Sequence, residues 1–99
     1  MSIEASAARH AIHDKLESQI KTAEAKLQTL KARAEAAKAD VEIRAIGGLL
    51  TRKEELLGKV EELKAAGQER WQHAKNDLVA LIAEFEKSVK GIEAKVKAL

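Results

Sequence analysis

The sequence predicts an all-α protein in which two long antiparallel helices form a coiled-coil hairpin. Three observations lead to this fold: a composition typical of long helices, apolar residues at heptad spacing, and one double glycine near the middle. Charged residues make up 34% of the 99 residues, aromatic residues make up 2%, and proline is absent. This mixture is typical of coiled coils, and without proline every residue can donate the backbone N–H that a helix uses.

The first predicted helix covers about residues 3–45. Its apolar residues alternate between steps of four and steps of three, which is the seam of a left-handed coiled coil. Lysine, glutamate, glutamine and arginine lie between them and form the solvated faces. The predicted seam consists of Leu16, Ile20, Ala23, Leu27, Leu30, Ala34, Ala37 and Val41.

A tight turn is predicted over about residues 46–50, because Gly47 and Gly48 form the only double glycine. Glycine readily adopts the left-handed conformation that ends a helix. Thr51, followed three residues later by Glu54, has the form of a capping box that begins the next helix. With this turn, facing residues of the two helices have numbers that sum to about 95.

The second predicted helix covers about residues 51–97, and its seam changes register at Gly67. We expect this glycine to permit close packing, so that the indole of Trp71 points inward between the helices. The alternative is a three-helix fold with a break at Gly67. The seam consists of Leu56, Val60, Leu63, Gly67, Trp71, Ala74, Leu78, Leu81, Phe85, Val89, Ile92, Val96 and Leu99.

The second helix carries more apolar residues than a two-helix seam can bury. An uncovered apolar strip usually marks an interface, and a homodimer that forms a four-helix bundle is the simplest cover. Alternatively, this apolar strip binds a lipid or polymer surface. The predicted interface consists of Leu50, Leu57, Trp71, Val79, Ile82 and Phe85.

Charge and residue types argue against several functions. The formal net charge is +2, and no block of basic residues could follow a phosphate backbone, so nucleic acid is an unexpected partner. We expect no enzyme activity, no cofactor and no metal site, because a coiled coil lacks the concave pocket that catalysis needs. His10, His13 and Asp14 are weak candidates for a metal site. The simpler interpretation is that they form polar surface near a helix end.

The N-terminal sequence lacks the apolar core of a secretory signal, and no apolar run approaches the roughly 18 residues of a membrane span. Cysteine is absent, which excludes disulfides within the 99 residues. We therefore expect a single cytoplasmic helical domain over residues 1–99.

Residues 26–89 carry a further pattern, a lysine-rich helix followed by a leucine, a small residue with glycine, and a tryptophan four residues after the glycine. With this pattern the chain resembles a family of small bacterial coiled-coil proteins described as stress-response proteins. The resemblance implies a soluble helical protein linked to stress, without catalytic residues to transfer. The matching positions are Leu63, Ala66, Gly67, Trp71, Lys75, Leu78 and Phe85.

Two functions follow as hypotheses. The first is a non-enzymatic interaction or scaffold protein that associates with itself through its apolar seam. The alternative is reversible coating of a lipid or storage-polymer surface by amphipathic helices, as apolipoprotein-like and phasin-like proteins do.

Overall fold

The residues that the structure describes form three helices: α1 (Ile3–Ala36), α2 (Asp40–Ala65) and α3 (Gln68–Lys97). The computed structural model describes the backbone of residues 3–99 and the side chains of residues 7–99. The helices pack into an elongated bundle that measures 53 × 18 × 16 Å. The predicted two-helix hairpin is therefore wrong, and the three-helix alternative is confirmed.

The helices run up, down and up. Glu17 of α1 lies beside Lys64 of α2, and further along α1 Glu24 lies beside Lys53, so residue numbers rise on one helix and fall on the other. Facing numbers in α1 and α2 therefore sum to about 77–81, and the predicted sum of about 95 is wrong. α1 and α3 are parallel, because His13 contacts Trp71 at one end and Lys26 contacts Glu93 further along both helices.

The first chain reversal lies at residues 37–39, about ten residues before the predicted turn. Lys38 has φ of +55°, and its N–H donates to the Glu35 carbonyl at 3.0 Å. The N–H of Ala39 donates to the Ala34 carbonyl, also at 3.0 Å. These two bonds define a Schellman motif, which ends a helix with one left-handed residue.

Gly47 and Gly48 lie inside α2, so their assignment to a turn is wrong. The capping box predicted at Thr51 is wrong as well, because its hydroxyl donates to the Gly47 carbonyl one turn earlier in the same helix, at 3.2 Å. The first helix ends near residue 36 instead of residue 45, and α2 begins near residue 40 instead of residue 51. Glycine only permits a helix to end, and here packing keeps the helix continuous through both glycines.

Packing explains why the chain reverses at residues 37–39. The buried seam of α1 ends at Ala34, whereas Ala37 is exposed and Val41 is 74% exposed. Reversal at this point brings Ile46 back onto the core, where it is fully buried. Asp40 and Glu42 lie in the first turn of α2, where carboxylates interact favourably with the positive end of the helix dipole.

The second reversal consists of Ala66 and Gly67 in extended conformations. The predicted continuous helix over residues 51–97 is therefore wrong, and the alternative break at Gly67, the N-cap residue of α3, is confirmed. The expectation of close packing at Gly67 is wrong, because a Cβ added there meets no atom within 4 Å. Its φ of −69° is also accessible to other residues.

One apolar core runs along the bundle and contains most of the predicted seam positions. Within the described residues, no helix is both long enough and apolar enough to cross a membrane. Packing of three helices buries Trp71, Ile82 and Phe85, which belong to the predicted interface. The buried apolar residues are Leu16, Ile20, Ala23, Leu27, Leu30, Ala34, Ile46, Leu56, Val60, Leu63, Trp71, Leu78, Ile82, Phe85, Val89, Ile92 and Val96.

Candidate functional site

A groove with basic rims lies between the parallel helices α1 and α3, on the side of the bundle away from α2. It consists of two adjoining depressions of about 290 and 360 Å³ that share Lys26. Its floor is apolar, because Ala23, Leu30 and Val89 line it and are buried. We call this feature the basic groove, and its cationic residues are Lys15, Lys26, Arg33, Lys90 and Lys97.

Two carboxylates also line the basic groove, so the cations outnumber the anions. Glu93 accepts ion pairs from Lys26 at 3.2 Å and from Lys97 at 3.9 Å. Glu86 is the other carboxylate. Within the described part of the chain, Lys15 and Lys90 make no ion pair. An apolar floor between cationic rims suits a ligand that is apolar on one side and acidic at its edges.

The sequence contained a signal for this groove that the charge argument missed. Lys15, Lys26 and Arg33 are separated by 11 and 7 residues, which places them on one face of a helix with 3.6 residues per turn. Lys90 and Lys97 share a face of α3 in the same way. A helical wheel for each helix would have revealed both rows. Only the bundle places the two rows on opposite sides of one groove.

The predicted interface residues are divided between the core and the surface. Trp71, Ile82 and Phe85 are at most 5% exposed, so they have no free surface to offer a second chain. Leu50 and Leu57 are half-buried against the core. Val79 is 44% exposed and is the one residue of this predicted set on the surface. For the three buried residues the interface assignment is wrong, because the same chain supplies the helix that covers them.

A buried polar contact joins the N-terminal part of α1 to the start of α3. The indole Nε1 of Trp71 donates a hydrogen bond to Nε2 of His13 at 2.9 Å, with both side chains buried. The two rings are tilted, with centroids 5.9 Å apart. The guanidinium carbon of Arg9 lies 4.8 Å from the indole centroid, within the range of a cation–π contact.

The three weak metal candidates do not form one cluster. His10 and Asp14 face solvent and contact each other at 3.7 Å, whereas His13 points into the bundle toward Trp71. Among the described residues, no three His, Cys, Asp or Glu side chains are grouped to hold a metal ion. Burial lowers the pKa of His13, and the neighbouring Lys64 lowers it further.

A second charged group is embedded between α1 and α2. Lys53 is buried and contacts the carboxylates of Glu24 and Glu54. The ammonium group donates hydrogen bonds to these two carboxylates, and these bonds raise the pKa of Lys53. The ammonium group is therefore paired, and its aliphatic stem covers part of the core, as long cationic side chains commonly do.

No family model, curated protein or solved structure matches this chain. The resemblance to stress-response proteins therefore stays a prediction.

Proposed function

We propose that this chain is a non-enzymatic interaction module whose basic groove binds an acidic amphipathic helix of a partner protein. The observation that carries the proposal is the combination of an apolar floor with cationic rims between α1 and α3. A docked helix would complete a four-helix bundle, a common arrangement for helices that share an apolar core.

The dimensions of the groove support a helical ligand. Lys15 and Arg33 lie 18 residues apart on α1, so the basic rim extends about 27 Å at a rise of 1.5 Å per residue. This length matches about five turns of a docked helix. Helices that bind in grooves insert apolar residues at one face, and Ala23, Leu30 and Val89 supply the apolar floor for that face.

The charges favour an acidic ligand over other amphipathic helices. Lys15 and Lys90 have no carboxylate partner within the described residues, so an acidic helix would pair with them without displacing an existing contact. Complementary charges at the rim raise the association rate and select against basic partners. Salt should therefore weaken binding mainly through slower association.

A labelled synthetic peptide tests this proposal. The probe has about three heptads, with leucine at positions a and d and glutamate at positions e and g. We expect fluorescence anisotropy to detect binding of this peptide, and no binding of the same peptide with lysine in place of glutamate. NMR shifts of the protein should be concentrated along the basic groove.

A matched pair of variants separates groove binding from general attraction. Lys15→Glu with Lys90→Glu reverses two rim charges and should weaken binding by at least about tenfold. Lys59→Glu with Lys87→Glu makes the same change in net charge at exposed positions outside the groove, and it should change affinity by less than about threefold. Equal losses in both variants would overturn the proposal.

A second copy of this chain is the other protein ligand that the charge pattern permits. α2 exposes Glu54, Glu55, Glu61 and Glu62, and its face could enter the groove of a neighbouring molecule. Sedimentation equilibrium tests this predicted self-association. If the protein forms oligomers and the Lys15→Glu, Lys90→Glu variant is monomeric, the groove binds a second copy.

Reversible coating of a lipid or polymer surface is a second candidate function, and the apolar face of α3 favours it. This face holds the only tryptophan and the only phenylalanine of the chain, and the extended residues Ala66 and Gly67 connect it to α2. If α3 swings out at this connection, the whole face becomes available to a surface. In that case vesicles would shift the Trp71 emission, and the two groove substitutions would leave that shift unchanged. The face consists of Trp71, Leu78, Ile82, Phe85, Val89, Ile92 and Val96.

A further inference from the structure

We infer that the hydrogen bond between Trp71 and His13 is an acid-sensitive latch that holds the start of α3 against α1. The bond is buried, joins two helices and measures 2.9 Å. Further along the bundle, the Lys26–Glu93 ion pair also joins α1 to α3. The latch is independent of the basic groove.

The chemistry of the two rings makes this bond sensitive to protons. An indole N–H can only donate, so Nε2 of His13 must accept and the imidazole must be neutral. An imidazolium has two N–H groups and no acceptor. Protonation therefore places two donors against each other, and no rotation of the ring restores the bond. Since Trp71 is buried, its N–H then has no acceptor unless the contact opens to water.

Most of the charged groups around His13 also oppose its protonation. On α1 they are Arg9, His10 and Asp14, and on α2 the group is Lys64. α3 contributes the uncharged indole. Lys64, His10 and Arg9 each lower the pKa of His13, whereas the carboxylate of Asp14 raises it. A charged His13 would therefore add to a mostly positive environment.

The direction of the pH effect follows from the lowered pKa of His13, whose ordinary value is 6.5. A group whose pKa is lower in the folded state than in the unfolded state binds a proton more readily on unfolding. The neutral form therefore contributes stability that is complete above pH 6.5 and is lost as the pH falls through the lowered folded-state value. We expect the contact between α1 and α3 to open at its Trp71 end in this range.

Trp71 reports directly on the latch because it is the only tryptophan of the chain. A buried indole emits at shorter wavelength than a hydrated one. On titration from pH 7.5 to pH 5, above the ordinary range of carboxylate titration at about 4, emission should shift to the red and iodide quenching should increase. Emission that does not change over this range would overturn the inference.

Histidine variants identify the titrating group. His13→Gln supplies an amide oxygen that accepts the indole bond and does not titrate, so the emission should stay blue throughout the pH range. His10→Gln and His73→Gln are matched controls at exposed side chains, and each should keep the wild-type transition. A transition that persists in His13→Gln, or disappears in either control, would contradict the inference.

NMR of the unmodified protein provides a test that does not depend on the folding of any variant. The single indole N–H gives one resonance, and its exchange with water should accelerate with the same midpoint as the titration of His13. An indole resonance that is unaffected while His13 becomes protonated would overturn the inference.

Discussion

Lys38 has the only positive φ among the non-glycine residues that the structure describes, at 55°. In this left-handed conformation Cβ approaches the following carbonyl oxygen, which costs about 1–2 kcal/mol. The Schellman hydrogen bonds of Lys38 and Ala39 hold this conformation. The side chain of Lys38 is exposed, so the strain can be removed without disturbing the core.

Lys38→Gly should raise the free energy of unfolding by about 1 kcal/mol, because glycine adopts positive φ without this steric cost. Urea denaturation followed by circular dichroism measures the change. Lys38→Ala is the matched control: it removes the charge but keeps Cβ, so stability should change by less than about 0.5 kcal/mol. If both variants have the wild-type stability, the turn at residues 37–39 is wrongly placed.

The side chain of Lys53 combines a buried aliphatic stem with an ammonium group that is paired with Glu24 and Glu54. Substitutions can separate the contributions of these two parts. Lys53→Met keeps the stem and should change the free energy of unfolding by less than about 1 kcal/mol, since both carboxylates retain contact with water. Lys53→Ala removes the stem and should cost about 1–2 kcal/mol more than Lys53→Met.

The raised pKa of Lys53 gives this prediction a pH dependence. The ion pairs contribute stability that is complete below the ordinary pKa of 10.5 and is lost as the pH rises through the raised folded-state value. Wild-type protein should therefore lose this contribution above about pH 10.5, whereas Lys53→Met should not. Parallel losses in both proteins would show that Lys53 is not responsible.

At the scale of one element, α2 tolerates glycine at Gly47 and Gly48 because its other residues support the helix. Both glycines are exposed, and a Cβ added at either position meets no atom within 4 Å. The continuity of α2 therefore comes from packing along the rest of the helix. The helix buries Ile46, Leu56, Val60 and Leu63 against the other two helices.

Alanine at positions 47 and 48 distinguishes a helix from a turn. Within a helix, Gly47→Ala and Gly48→Ala should each raise the free energy of unfolding by about 0.5–1 kcal/mol. A turn that needs left-handed glycine would be destabilised by the same changes. Gly91→Ala is the control, because Gly91 lies within α3 and a Cβ added there meets no atom within 4 Å. This change should stabilise the protein by a similar amount. If Gly47→Ala and Gly48→Ala lower the stability and Gly91→Ala does not, the turn lies at the double glycine.

At the scale of the whole molecule, the bundle and the hairpin place different residues opposite each other. Cysteine is absent from the chain, so two introduced cysteines can carry spin labels without further changes. Gln28, Arg52 and Ala65 are exposed positions for these labels. Gln28 faces the neighbourhood of Arg52 in the bundle but would face the neighbourhood of Ala65 in the hairpin.

Labels at Gln28 and Arg52 should report a separation close to the 8–10 Å spacing of packed helices plus the label arms. Labels at Gln28 and Ala65 should be farther apart, because Ala65 lies 13 residues beyond Arg52 on α2, which adds about 20 Å along the bundle. Pulsed electron spin resonance measures both distances. The opposite order of the two distances would contradict the three-helix arrangement.

The sequence predicts the geometry of the basic groove and of the His13–Trp71 contact only in part. The two rows of cations were readable from helical spacing, but the groove between them depends on how α1 and α3 rotate against each other. The sequence identified His13 as one of three polar side chains near the start of the helix. It did not indicate that His13 points inward. Its partner Trp71 is 58 residues away along the chain, and the sequence alone did not specify that pairing.

The sequence by itself determined that the chain is helical and which residues are apolar along each helix, because helical periodicity is a local property that side-chain spacing records. It indicated the break at Gly67 only as an alternative to a continuous helix. Only the tertiary structure decided where the first reversal lies, because "AEAAKAD" contains good helix formers and no glycine or proline. Burial of Ile46 and the core residues after it stabilises the reversed chain more than a continuous helix would. That balance involves contacts between distant residues, which no local pattern contains.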